Sequence, residues 1–292
     1  MEKYGLKILW TLVSTIIIAL SISLGIVWSK KDGYKRIEFK YGFYDRMDDN
    51  SPFDSDNNTE EALSSKGGLE SDVKRIAIII DDLGWDKGPA DDLLNINAPI
   101  SFSILPNLPF SKIIADEAGL KNRDVLLHLP MEPHGHSYKD DKIKPLTVEM
   151  GKNDMVILIK DYISAIPHIA GVNNHMGSKL TEIEEPMKYI MEILKDKNLF
   201  FVDSRTTPKS MAYQVARVYG VKTARRNVFL DNREDEKYIS GQIEELIHIA
   251  IKNGSAIGIG HPHPQTIAAI QKMVPLIKEK GIEIVPVSEL VN

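Results

Sequence analysis

Five short apolar runs in this chain each end in residues able to do acid–base or metal chemistry. The run closing at Ile80 is followed by Asp81-Asp82, and a second reaches His128 inside HLPMEPHGH, with Glu132, His134 and His136 close behind. A third leads into Asn173-Asn174-His175 and then Gly177-Ser178; a fourth ends in Asp203-Ser204-Arg205; a fifth opens GHPHP with His261 and His263. Only His168 and His248 of the eight histidines fall elsewhere. The chain has no cysteine, which excludes disulfides, zinc–thiolate sites, iron–sulfur clusters and a cysteine nucleophile. A metal here must sit on His, Asp, Glu or water, and imidazole with carboxylate is the ligand set of a hydrolytic centre built without thiols.

Each piece alone also has a structural explanation. Asp81-Asp82 fits a turn or a helix N-cap, and HLPMEPHGH fits a rigid loop bracketed by prolines. His175 fits a hydrogen-bonded core histidine, GHPHP a restrained loop, and Asp203 with Arg205 a salt bridge. The joint pattern favours a metal-centred site, because five separate runs deliver titratable groups while their interiors stay apolar.

The elements that must position these groups follow from hydrophobic periodicity. Strands are expected at 75–80, 100–105, 124–129, 170–175, 199–204, 221–224, 255–260 and 282–287. Helices are expected at Ser111–Lys121, Lys152–Ile166, Glu184–Asp196, Pro208–Tyr219, Asp235–Lys252 and Thr266–Lys280. Alternating strands and helices make a parallel sheet with crossover helices, whose chemistry gathers at the C-terminal ends of the strands. About 219 residues with seven or eight strands favour a distorted (β/α)7-8 barrel over a doubly wound sheet. The first strand runs into IIIDDLGW, with no GxGxxG, so dinucleotide binding of that kind is not expected.

The chain ahead of this domain reads differently. Ile8 to Trp28 is 21 residues without a charge, long enough as a helix to span about 30 Å of hydrocarbon, so residues 1–29 are expected to be a single-pass membrane anchor. Residues 30–73 are expected to be an acidic, disordered linker. Between Tyr41 and Asp72 nine acids face two bases, with little apolar surface to offset ordering entropy. Residues 74–292 are expected to form the barrel domain. The whole chain carries a net charge of −5, against a nucleic-acid partner, which would call for a basic excess.

IIIDDLG, ISFSILP, HLPMEP, NNHMGS, FVDSRT and GHPHPQT, in that order, resemble the divergent branch of the polysaccharide deacetylase family, over Arg75 to Val291. The resemblance implies a distorted barrel of the polysaccharide deacetylase type that binds a divalent metal, often zinc, and removes acetyl groups from glycans. It implies Asp81 as general base, Asp82 and His128 as metal ligands, and His261 as general acid, with His263 a second candidate. Where typical members carry a second metal histidine four residues after the first, this chain has Glu132, so either Glu132 or His175 completes the ligand set. Asn174, Asp203, Arg205 and His263 are expected to bind substrate or to orient the ligands.

The function expected is membrane-anchored, metal-dependent deacetylation of a cell-envelope glycan, with an acetylated glycan or peptidoglycan fragment as partner. The alternative is a catalytically weak or inactive module that binds a glycan or a cell-envelope protein. A glycosidase using Asp81 and Glu132 as paired carboxylates is a third reading, which the separation of the two carboxyl groups decides. Lys30, Lys31, Lys35, Arg36 and Lys40 follow the apolar span, so a positive-inside count alone places the domain in the cytoplasm. The glycans of the related proteins lie outside, so the expected place is the cytoplasmic membrane with the domain extracytoplasmic.

Overall fold

A computed structural model describes residues 73–135 and 143–292. The expected anchor and the linker fall outside these residues except for Val73, as does His136. Among the described residues no helix is long and apolar enough to cross a membrane.

Within the described residues, nine strands build one parallel sheet: β1 (Lys74–Leu83), β2 (Ser101–Ile104), β3 (Val125–Met131), β4 (Ile169–Met176), β5 (Phe200–Asp203), β6 (Thr223–Arg225), β7 (Val228–Phe229), β8 (Ser255–Gly260) and β9 (Ile282–Ile284). The strand order is β6-β5-β4-β3-β2-β1-β8-β7, and every ladder is parallel. The two outer strands, β6 and β7, are separated in the chain only by Arg226 and Asn227, so the sheet curls until its ends meet. This is a curled parallel (β/α) half-barrel; no ladder joins β6 to β7 among the described residues. β9 pairs with Lys74–Ile76 of β1, on the edge that β2 takes from Ile79 onward.

Seven α-helices among the described residues connect the strands: α1 (Gly88–Leu94), α2 (Ser111–Leu120), α3 (Lys152–Ala165), α4 (Glu184–Asp196), α5 (Ala212–Tyr219), α6 (Glu236–Asn253) and α7 (Pro264–Glu279). The expected elements are all present to within a few residues. Two more lie beyond what periodicity predicts: α1, whose seven residues are too few for a clear helical period, and β7, which has only two. The expected start of α5 at Pro208 moves to Ala212, because Lys209 and Ser210 make a turn closed by the Thr207 carbonyl and Asp203.

Period-two alternation divides the strands between two cores. One row of side chains packs outward under the helices, in a large cluster that includes Ile76, Ile78 and Ile80 of β1. The other row points into the barrel, where Ala77, Ile79, Leu126, Phe200, Val202, Ile257, Ile259 and Val287 form a smaller core. Gly171 of β4 leaves the space for the Phe200 ring, since a Cβ there would stand 2.3 Å from it. Followed toward the C-terminal edge, the inward rows run Ala77-Ile79-Asp81, Leu126-His128, Gly171-Asn173-His175 and Ile257-Ile259-His261. The same periodicity that buries the inner core thus carries polar residues to its upper end.

Candidate metal centre at the C-terminal edge of the barrel

Two successive residues of a regular strand point to opposite faces, so Asp81 and Asp82 cannot both face the barrel mouth without a distortion. That distortion is present. The β1–β2 register shifts between Ile80 and Leu83, and Asp82 has φ 57°, in the left-handed region that a non-glycine residue rarely occupies. Met176 at the end of β4 and Arg205 just after β5 are also left-handed, with φ 52° and 48°. Strain of this kind costs about 1–3 kcal/mol per residue and gathers where the surrounding structure needs an unusual side-chain direction.

At the mouth, Asp82 Oδ1 lies 3.2 Å from His128 Nε2 and 2.9 Å from His175 Nδ1, and those two nitrogens are 3.2 Å apart. Four-coordinate zinc with ligands at 2.0–2.1 Å holds its donor atoms about 3.3 Å apart, so these three atoms already have the spacing of a ligand face. Asp82 Oδ1 is buried, and no hydrogen bond satisfies it. His128 is fixed by Asn173: its Nδ1 stands 2.8 Å from the Asn173 side-chain oxygen, a pure acceptor, so Nδ1 carries the proton and the Nε2 lone pair faces Asp82. The electrostatics point the same way. Burial works against the Asp82 carboxylate, yet His175, His128 and His261 outweigh it and hold its pKa well below the usual value. Burial also works against a charged His128, and Asp81 and Asp82 outweigh that, raising its pKa. The cluster is a place that demands positive charge, and a divalent cation on Asp82, His128 and His175 fits it.

Asn173, wholly buried, is the hub. Its side-chain oxygen accepts from Ser103 Oγ at 2.7 Å as well as from His128, and its Nδ2 donates to Asp81 Oδ1 at 2.8 Å and Ser204 Oγ at 3.3 Å. Asp81 Oδ2 remains on the ligand side, 3.7 Å from His128 Nε2.

Across the mouth, His261 Nε2 stands 3.9 Å from Asp82 Oδ2, while its Nδ1 lies 3.0 Å from Asp231 Oδ1. Asp231 Oδ2 accepts from the His261 backbone N–H at 2.6 Å and from Thr266 Oγ1 at 2.7 Å. Burial opposes charge on His261, but Asp231, with Asp82 and Asp81, pushes its pKa up to about 9. The His263 ring is 5.9 Å from that of His261, and its Nδ1 is 3.9 Å from Glu234. Asp231, His261 and His263 also lie close enough together to present ligand atoms.

Other expected site residues take other places. Glu132 is not brought to the ligand cluster: its Oε1 accepts from Lys179 at 2.6 Å and its Oε2 from the Val148 N–H at 2.9 Å, so it staples the loop after β3 to the loop after β4. Asn174 accepts from the Ser204 N–H and donates to the Met176 carbonyl, pinning the ends of β4 and β5 together. Asp203 accepts from the Arg205 N–H, Ser210 Oγ and the Tyr213 N–H, so its contact with Arg205 is through backbone rather than through a side-chain salt bridge. Two residues of the site escape sequence reasoning. Asn173 stands inside the NNHMGS motif, but its four contacts come from three other strands and one loop. Asp231 follows a two-residue strand too short to register as one.

Comparisons with known proteins bear on the fold and the family. The chain is 36% identical over 219 residues to the uncharacterized protein YibQ of Escherichia coli (strain K12), covering 75% of this chain and 67% of that protein. It is 37% identical over 198 residues to an uncharacterized protein of Haemophilus influenzae (strain ATCC 51907 / DSM 11121 / KW20 / Rd), covering 68% and 70%. The crystal structure of uncharacterized protein ATU2773 from Agrobacterium tumefaciens C58 shares the fold, with a TM-score of 0.72 and 24% identity, over 75% of this chain and 89% of that one. Residues 78–291 match the family described as divergent polysaccharide deacetylase, and the chain belongs to that family.

Proposed function

We propose that the protein is a metal-dependent hydrolase that removes an acetyl group from a cell-envelope glycan. The observation that carries this reading is the convergence of Asp82 Oδ1, His128 Nε2 and His175 Nδ1 within 3.2 Å of one another, with one more acid and one more histidine beside them. A divalent cation there, zinc by its preference for imidazole and carboxylate, supplies Lewis acidity toward an acetyl carbonyl and lowers the pKa of water from 15.7 toward about 7. Asp82, His128 and His175 hold it. Asp81, anchored through Oδ1 by Asn173, turns Oδ2 to the ligand side and accepts the proton of the attacking water. His261 holds a proton on Nε2, because Asp231 fixes Nδ1–H and keeps the imidazolium charged at neutral pH; it delivers that proton to the leaving nitrogen or oxygen.

Glu132 takes no part as a ligand in this reading, and its commitment to Lys179 argues against a carboxylate pair with Asp81 of the glycosidase kind. Residues 1–29 anchor the protein in the cytoplasmic membrane, and the linker holds the domain outside, where envelope glycans are. A reporter that is active only outside the cytoplasm, fused after Asp72, tests the placement. Full-length protein purified with its metal content measured, then incubated with N-acetylated chitooligosaccharide or peptidoglycan, tests the reaction. The expected result is about one equivalent of zinc and release of acetate. Stoichiometric metal with bound glycan but no acetate would leave the binding module instead.

A further inference from the structure

The break between β6 and β7 and the end of β5 place two arginines at the same edge of the sheet as the metal-ligand cluster. Arg226 occupies the break. Its Nε donates to the Ser204 carbonyl at 2.7 Å and its Nη2 to the Arg205 carbonyl at 2.9 Å, and its guanidinium lies 4.9 Å from the centre of the Phe229 ring. Ser204 is hydrogen-bonded to the Asn173 hub, and the Phe229 ring is 5.2 Å from that of His261. Arg226 is therefore linked to the base through Ser204 and Asn173 and to the acid through the Phe229 ring.

Arg205, half-buried, follows immediately after β5 with its backbone held at φ 48°. Among the described residues its guanidinium has no hydrogen-bond or ion-pair partner, and neither arginine has a carboxylate within salt-bridge reach. The acids nearest by are already committed. Asp203 spends both oxygens on Arg205 N–H, Ser210 and Tyr213, and Asp81 Oδ1 accepts from Asn173. Two guanidinium groups close enough to repel each other are thus held at the mouth with no side-chain carboxylate between them. Burial, with Arg205 adding to it, pulls the Arg226 pKa down to about 10 and outweighs the more distant Asp203 and Asp81, a sign that its charge is costly there. Both Nη1 protons of Arg226 lack a protein acceptor among the described residues. Paired guanidinium forks match the oxygens of a carboxylate or phosphate, and such charge-assisted bonds are the strong ones.

We propose that Arg205 and Arg226 form an anion-recognition pair, and that the substrate is an acidic saccharide with a carboxylate or phosphate on or next to its N-acetylated ring. This rests on the deacetylase reading above and narrows it. The reacting acetyl group goes to the cluster of Asp82, His128 and His175, and the acid group lies toward the β5–β8 side, on the arginines.

Calorimetric titration of the zinc-loaded full chain with three sugars on the same ring tests it: N-acetylglucosamine, N-acetylmuramic acid and N-acetylglucosamine 1-phosphate. At least one acidic sugar is expected to bind about tenfold or more tightly than the neutral one, the scale of one charge-assisted hydrogen bond. The carboxylate and phosphate arms tell the two acid groups apart. Arg226→Gln and Arg205→Gln should each erase that advantage, so that the acidic sugars bind no more tightly than the neutral one. Arg205→Gln removes a side chain that the fold does not use, so it keeps the test open if Arg226→Gln does not fold. Equal affinity for all three sugars, a preference that survives both substitutions, or no binding of any sugar overturns the proposal. Zinc content and acetate release, read on the same preparation, judge the deacetylase reading separately.

Discussion

The two histidine clusters at the barrel mouth use similar residues in opposite ways. In the first, His128 is oriented by Asn173, a neutral amide whose oxygen accepts the Nδ1–H hydrogen bond. In the second, His261 is oriented by Asp231, a buried carboxylate that stabilises a second proton on the ring. A neutral second partner presents a lone pair, which suits a metal ligand; a charged one presents a proton, which suits an acid. The role of each histidine is set by the group behind it as much as by the histidine itself.

The most damaging change to this contrast is loss of the ligand shared across it. Asp82→Ala removes the oxygen that faces His128 and His175 and should abolish stoichiometric metal binding and, with it, acetate release. Metal analysis of the purified variant checks this; wild-type zinc content would falsify the ligand assignment. His128→Ala should behave alike. Asn173→Leu is the next step down. It leaves all ligands in place but removes the acceptor for His128 Nδ1 and the donor to Asp81, each buried. Metal affinity should fall about 10–100-fold, as for other partners of metal ligands. Stability should drop by roughly 1–3 kcal/mol for each polar group left unsatisfied. Metal titration and thermal melting separate the two effects.

Asp231→Asn converts the second cluster toward the character of the first. In the metal-free wild type, His261 has its folded pKa raised to about 9, above the value near 6.5 expected of an unfolded chain. The stability this contributes is fully present below about pH 6.5 and is lost as pH rises through about 9. Asp82 and Asp81 also raise that pKa and remain in the variant, so it should be less stable than wild type by at most about 3 kcal/mol near neutrality, and the gap should close above about pH 9. Chemical denaturation from about pH 6 to about pH 10 reads the gap directly. A difference that stays constant with pH would mean that Asp231 acts only through its bonds to Thr266 and the His261 backbone.

Much of this contrast is legible in the amino-acid order alone, for a definite reason. A strand that faces a packed interior alternates with period two, so the inward positions Ala77 and Ile79 announce their own continuation to Asp81 and into the site. The strands, the major helices and the end residues Asp81, His128, His175 and His261 are of this local kind, whereas Asp82 reaches the site only through the break in register and its left-handed backbone. What sequence cannot express is which residue stands behind another. Asn173 and Asn174 are adjacent and chemically identical, yet inward-facing Asn173 organises the ligands while Asn174 ties two strand ends. Asp231 lies 30 residues from the histidine it governs, after a strand too short to leave a period. The curling of the sheet that brings β6 and β7 near each other, with Arg226 between them, is likewise a tertiary event.

Glu132 shows the limit from the other side, and the smallest predicted effect belongs to it. Four residues after His128, it occupies the place where the resemblance to the polysaccharide deacetylase family implies a ligand. But β3 ends at Met131, and the chain then leaves the barrel wall, so its side chain meets Lys179 instead. Burial works against its charge, while the Lys179 and Val148 contacts outweigh that and lower its pKa. Glu132→Gln removes a partly exposed ion pair and should cost no more than about 1 kcal/mol. It should also leave the zinc content at one equivalent. Equal metal content in Glu132→Gln and wild type, beside its loss in Asp82→Ala, would place the boundary of the metal centre at His175; loss of zinc from Glu132→Gln would move that boundary out to the loop after β3.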